Sequence, residues 1–153
     1  LLAAEKSVRV RMAALDALKC TPQKGEAAAI LIKLSEDQNP TIKYKAVAAL
    51  SGIKDAKVKE KLAALAAGTP DIKIKIAAQK GLMLSGVPAD VKTAQSAMTA
   101  ASPEIRLEAL EVAAAFSDAD ALPLLAQALD DPDTKVKLTG ALQTLKRASR
   151  KPI

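Results

Sequence analysis

The chain has no histidine, no tryptophan, one cysteine and two aromatic side chains, Tyr44 and Phe116. Each absence closes a class of chemistry. Without histidine there is no imidazole acid/base catalysis, no Ser–His or Cys–His nucleophile pair, and little means of ligating zinc or haem. A single cysteine, Cys20, builds no intrachain disulfide framework. It lies near the end of a predicted helix beside Lys19 and reads as an inert free thiol. No cofactor and no metal are expected. No apolar run approaches the roughly 20 residues of a membrane-spanning helix. The opening Leu1–Lys6 has no initiator methionine and no apolar stretch of the secretory kind. It reads as the end of a helix already under way, so the polypeptide is expected to be part of a longer chain or a processed form. A lone cysteine suits the cytosol and is compatible with a processed, exported protein.

What is present is aliphatic and small. Half of the 153 residues are apolar, and with so few rings the core has to be built from Ala, Leu, Ile and Val, which favours closely packed helices. The 23 basic residues against 17 acidic ones leave a net charge of +6. That suffices for solubility and for attraction to an acidic partner, but it does not diagnose nucleic-acid binding.

The chain repeats itself. Five segments align without gaps on the anchors Val10, Ile42, Ile74, Ile105 and Val136, spaced by 32, 32, 31 and 31 residues. Three positions before each anchor stand Ser7, Asn39, Asp71, Ser102 and Asp133, all side chains that cap a helix N-terminus. Pro40 and Pro103 follow their caps at the first helical position, where a missing N–H costs nothing. Four residues after the anchors come Ala14, Ala46, Ala78, Ala109 and Gly140, and four further Leu18, Leu50, Leu82 and Ala113. An apolar–small–apolar stripe at this spacing is a helix face pressed against a neighbour. A second apolar column, Met12, Tyr44, Ile76, Leu107 and Leu138, lies about 200° away round the helix. Helices apolar on two sides are covered on two flanks, as in stacked layers. Between these B helices the sequence predicts A helices near 26–35, 56–67, 89–100 and 119–130. Short turns marked by Gly25, Gly52, Gly68, Pro70, Gly86–Pro88 and Pro132 join them. The B helices are expected near 7–19, 39–51, 71–84, 102–116 and 133–147, in one domain spanning 1–153. The basic tail 147–153 is expected to fray.

The run Asn39-Pro40-Thr41-Ile42-Lys43-Tyr44-Lys45-Ala46 and the A-helix stretch Ala121-Leu122-Pro123-Leu124-Leu125-Ala126-Gln127-Ala128-Leu129-Asp130-Asp131 resemble the HEAT-repeat family, in particular its short, phycobilisome-lyase-like repeats. The resemblance covers nearly the whole chain. It implies an all-α fold, a right-handed α-solenoid of about four and a half helical hairpins whose B helices line a concave side. It implies a scaffolding role, because HEAT motifs specify fold strongly and function weakly.

Charged columns carry the rest. Arg11, Lys43, Lys75, Arg106 and Lys137 form a basic column inside the apolar arc, about 100° from the anchors. Such side chains have to lie along apolar surface and bring their heads to a partner. Six residues upstream stand Glu5, Asp37 and Asp131 in repeats one, two and five, whereas repeats three and four carry Thr69 and Ala100. The resemblance implies an Asp/Arg ladder joining adjacent units, with Lys75 and Arg106 served by a neighbouring repeat's acid or left freer to bind.

On the exposed arc, made of the positions one before each anchor and three and six after it (Lys73, Ala77 and Lys80 in the third repeat), Lys45, Lys73 and Lys80 are the candidates for meeting an acidic patch, and Glu104, Glu108 and Glu111 for meeting a basic one. Three glutamates on one helix face are not a convergent cation site. Lys57, Lys59 and Lys61 read as a solvated outer face, and Met12, Met83 and Met98 as core filler. The expected function is a non-catalytic scaffold that presents a charge-patterned surface to another protein or a multi-subunit assembly. Electrostatic nucleic-acid binding is the alternative; it lacks an unbroken basic groove and stacking aromatics. A third reading is an accessory subunit of an enzyme or lyase complex, with any catalysis residing in the partner.

Overall fold

The computed structural model describes residues 6–19 and 24–150, and these hold nine α-helices and no strand. In chain order they are α1 (Val8–Lys19), α2 (Lys24–Leu34), α3 (Pro40–Leu50), α4 (Ala56–Gly68), α5 (Ile72–Leu84), α6 (Val91–Met98), α7 (Pro103–Ala113), α8 (Asp118–Leu129) and α9 (Thr134–Ala148). None is long and apolar enough to cross a membrane. Odd-numbered helices carry the anchor columns and alternate with the A helices, so the fold is the all-α, hairpin-built α-solenoid class that the repeat spacing predicts.

The chain divides into two compact units, Leu1–Val87 and Pro88–Ile153. In the first, α1, α3 and α5 pack side by side as one layer, and α2 and α4 pack as a second layer against it. In the second, α7 lies on α9 and α6 on α8, again two layers. The first unit's core joins Leu15, Leu31, Leu34, Ile42, Leu50, Val58, Leu62, Ile74 and Leu82. In the second unit Met98, Leu110, Val112, Leu124, Leu125 and Val136 are buried.

Local chemistry sets the helix starts. Asn39, Asp71 and Asp133 each accept two backbone N–H groups of the first turn, as do Asp55 and Asp90 at the A helices. Ser102 departs from this pattern: its hydroxyl donates to the Glu104 carboxylate and makes no capping bond. Two glycines are required by close approach. A Cβ at Gly140 would stand 2.7 Å from the Ala128 Cβ, and one at Gly81 2.8 Å from Leu62 Cδ1. Small residues in these columns let neighbouring helices approach at short range.

Three surface expectations change. Val10 is 43% exposed although the four other anchors are buried, because no described helix precedes α1 to cover it. Ala77, placed on the exposed arc by its position, is buried. Lys61, assigned to a solvated face with Lys57 and Lys59, ion-pairs with Glu36. Cys20 and Glu5 lie outside the described residues.

Candidate functional site

The basic column divides into two kinds. Arg11 grips Asp37 with two nitrogens, Nε to Oδ2 at 2.7 Å and Nη2 to Oδ1 at 3.1 Å, and Nη1 donates to the Lys6 carbonyl at 3.2 Å. Arg106 repeats the arrangement in the second unit. Its Nε and Nη2 reach Asp131 at 2.7 and 2.8 Å, and Nη1 donates to the Ala100 and Ala101 carbonyls at 2.8 and 2.9 Å. Each aspartate also accepts the backbone N–H of the next helix's cap, Asp37 from Asn39 at 2.8 Å and Asp131 from Asp133 at 2.9 Å. One carboxylate therefore joins a guanidinium of one repeat to the helix start of the following repeat. Planar, bidentate pairing of this kind is among the stronger polar contacts in proteins.

The rungs run in one direction. Sequence spacing put the acids Glu5, Asp37 and Asp131 six residues ahead of the base within their own repeats, and left Lys75 and Arg106 to a neighbouring repeat's acid. The structure pairs each arginine with the aspartate 26 or 25 residues downstream, in the next repeat. Arginine stands where the next repeat supplies Asp37 or Asp131, and lysine (Lys43, Lys75) stands where Thr69 or Ala100 occupies the corresponding position. The hydrogen bonds from Arg11 hold the Asp37 carboxyl below its ordinary value against the opposing effect of burial, and those from Arg106 do the same for Asp131. Asp131 in turn raises Arg106. Glu36 is lowered by its bond from Lys61.

The candidate contact residues sort differently. Lys45 on α3 and Lys73 and Lys80 on α5 are all half-exposed, and α3 and α5 pack together. The structure thus brings these three onto one layer of the first unit. Lys73 extends over the Tyr44 ring, its Nζ 4.2 Å from the centroid, so the cation is seated on α3 rather than free in solvent. Neither α3 nor α5 contains an acidic residue. Glu104, Glu108 and Glu111 all belong to α7 in the second unit; the first and last are exposed and Glu108 is half-buried. The single basic residue of α7, Arg106, is the one held by Asp131. Among the described residues no group of acidic or sulfur side chains could hold a metal ion.

One anchoring residue escaped the repeat pattern. Arg147, where the expected helix 133–147 meets the tail expected to fray, is part of α9, and its side chain is only 10% exposed. It donates to the Ala113, Ala114 and Phe116 carbonyls, at 2.8, 3.3 and 3.1 Å, and pairs with Asp118 at 2.8 Å. It therefore caps the C-terminus of α7 and ties the α7–α8 turn to α9. The available signal was charge at the end of a helix, which says nothing about which neighbouring carbonyls it will meet.

Comparison with curated proteins yields no match. The HEAT-repeat family profile matches residues 1–83, more than half of the chain, and it does so at the level of HEAT repeats in general, without singling out the phycobilisome-lyase-like kind. With hairpins stacked in two layers, a 31–32-residue period and an inter-repeat ladder, the chain belongs to the HEAT-repeat family.

Proposed function

We propose that the chain is a non-catalytic protein-interaction module that recognises its partner through the one-signed surfaces of its B helices. HEAT repeats are generally protein-interaction scaffolds, and the family is typically non-enzymatic. The observation that carries the finer reading is the segregation of charge. Helices α3 and α5 carry Lys43, Lys45, Lys73, Lys75 and Lys80 and contain no acid themselves, while α7 carries Glu104, Glu108 and Glu111 and a single base, Arg106. Lys45, Lys73 and Lys80 meet an acidic patch on the partner; Glu104, Glu108 and Glu111 meet a basic one. Such complementarity sets partner choice and encounter rate more than it sets raw affinity.

The test compares affinity capture from the native source by the wild type and by a Lys45→Glu/Lys73→Glu/Lys80→Glu variant of unchanged helicity. The expected outcome is loss of the partners bound through acidic surfaces and retention of those bound elsewhere. Recovery of an identical set by both proteins overturns the assignment.

A further inference from the structure

The α8–α9 hairpin exposes an ordered apolar face. Leu122 and Leu129 on α8 are 47% and 44% exposed, and Leu138, Leu142 and Leu145 on α9 are 65%, 52% and 67% exposed. These are not scattered. Gln127 of α8 reaches back to the Met98 carbonyl of α6, and Gln143 of α9 reaches back to the Leu110 carbonyl of α7. At about 100° per residue, Leu122 and Leu129 lie about 140–160° round α8 from Gln127, and Leu138 and Leu145 lie equally far round α9 from Gln143. Both stripes therefore share the side of the hairpin that faces away from α6 and α7.

Contacts within the hairpin set the register of this face. Arg147 meets Asp118, and Gly140 lies against Ala128, so the two helices run antiparallel. Leu145 is then level with Leu122, Leu142 with Ala126, and Leu138 with Leu129. The charges are sorted as well: α8 contains acids and no base, and α9 contains bases and no acid. Asp130, at the end of α8, and Lys135, at the start of α9, are both exposed and lie near the same end of the hairpin.

We propose that this face takes a second copy of the chain in a two-fold dimer, with α8 of each copy lying over α9 of the other. A two-fold axis parallel to the helices keeps every residue at its level. It sets Leu122 opposite Leu145, Leu129 opposite Leu138, and the small Ala126 opposite the large Leu142, once in each direction. A two-fold interface requires one patch to complement itself, and a hairpin with one acidic-apolar and one basic-apolar helix does so. The arrangement that puts α9 over α9 sets lysine against lysine. The five leucines alone contribute on the order of 1,000 Å² over two copies, about where specific interfaces begin.

Sedimentation equilibrium of the unmodified chain, from micromolar to submillimolar concentration, is the first test. Mass that doubles and then levels off is expected. A mass that stays monomeric overturns the proposal, whether or not the chain then floats with anionic vesicles, the result a lipid-facing leucine stripe gives. A mass that climbs past the dimer overturns it as well. Leu142→Lys, at a solvent-exposed position, is expected to keep the helical signal and abolish the doubling. For the geometry, copies carrying Cys20→Ser with either Leu122→Cys or Leu145→Cys are treated with a short thiol crosslinker. Crosslinking in the mixture and in neither variant alone supports the pairing; Leu145→Cys crosslinking to itself overturns it.

Discussion

At the scale of single residues, the two rungs are the places where one substitution leaves a buried charge without its partner. Asp131 is nearly sealed from solvent, at 5% side-chain exposure, and it accepts two of the hydrogen bonds that Arg106 donates. Removing the acid leaves a buried guanidinium uncompensated, a change that costs about 3–5 kcal/mol. Asp131→Ala should therefore lower the denaturation midpoint far more than Lys137→Ala, which removes an exposed member of the same column. The rungs also set an acid limit. Because Asp37 and Asp131 titrate below their ordinary value of 3.8 in the folded chain, their contribution is complete above that value and is lost as pH falls through the lowered one. Chemical denaturation across the acid range should show stability declining below about pH 4, and the double variant Asp37→Asn/Asp131→Asn should flatten that decline while starting lower.

Glycine offers a second contrast at this scale. In open helix, replacing Gly by Ala stabilises by about 0.5–1 kcal/mol. Gly68, at the end of α4, has open space where a Cβ would stand, and Gly140 has the Ala128 Cβ at 2.7 Å from that point. Thermal melts should show Gly68→Ala raising Tm and Gly140→Ala lowering it.

At the scale of elements, helix boundaries follow from the caps, and contacts follow from the stacking. The cap column located the starts of α3, α5 and α9, since a side-chain oxygen next to an amphipathic run acts locally, and at α7 Ser102 marks the start without making the bond. Ladder direction was not legible in the same way. The acid six residues upstream and the acid about 26 downstream are equally visible in the sequence, and the choice depends on how one hairpin lies on the next. Arg147 illustrates the same limit: its partners are carbonyls at the end of α7, and a carbonyl carries no sequence signature. Hydrogen exchange should report its role directly. Arg147→Met should lose amide protection through the last two turns of α9 and around Phe116, with α3 and α4 unaffected.

For the whole molecule, the repeat period was enough to define the fold class, because a 31–32-residue recurrence of cap, anchor and small residue admits little but stacked hairpins. Exposure at particular positions was not, because it depends on whether a neighbour covers them. Val10 and Ala77 depart from expectation in opposite senses for that reason. Binding chemistry was legible as charge columns, while the seating of Lys73 on Tyr44 emerged only from the packing of α3 against α5. The count of 23 basic residues overstates what is available for phosphates, since Arg11, Arg106 and Arg147 are all held by carboxylates. A gel-shift series with duplex DNA should accordingly show no retardation at physiological salt, and any complex at low salt should vanish as salt rises.

The direction of the rungs makes the repeats behave like words with an order rather than interchangeable bricks. A unit bearing arginine must be followed by one bearing aspartate, and a unit bearing lysine is followed by one that lacks it. Splicing the third unit directly after the first would set Thr69 against Arg11 and strand its charge, whereas placing the fifth unit there would supply Asp131 and read correctly. Duplication and recombination of such an array are thus constrained by a local grammar, written in pairs of residues that a helix-by-helix comparison treats as independent.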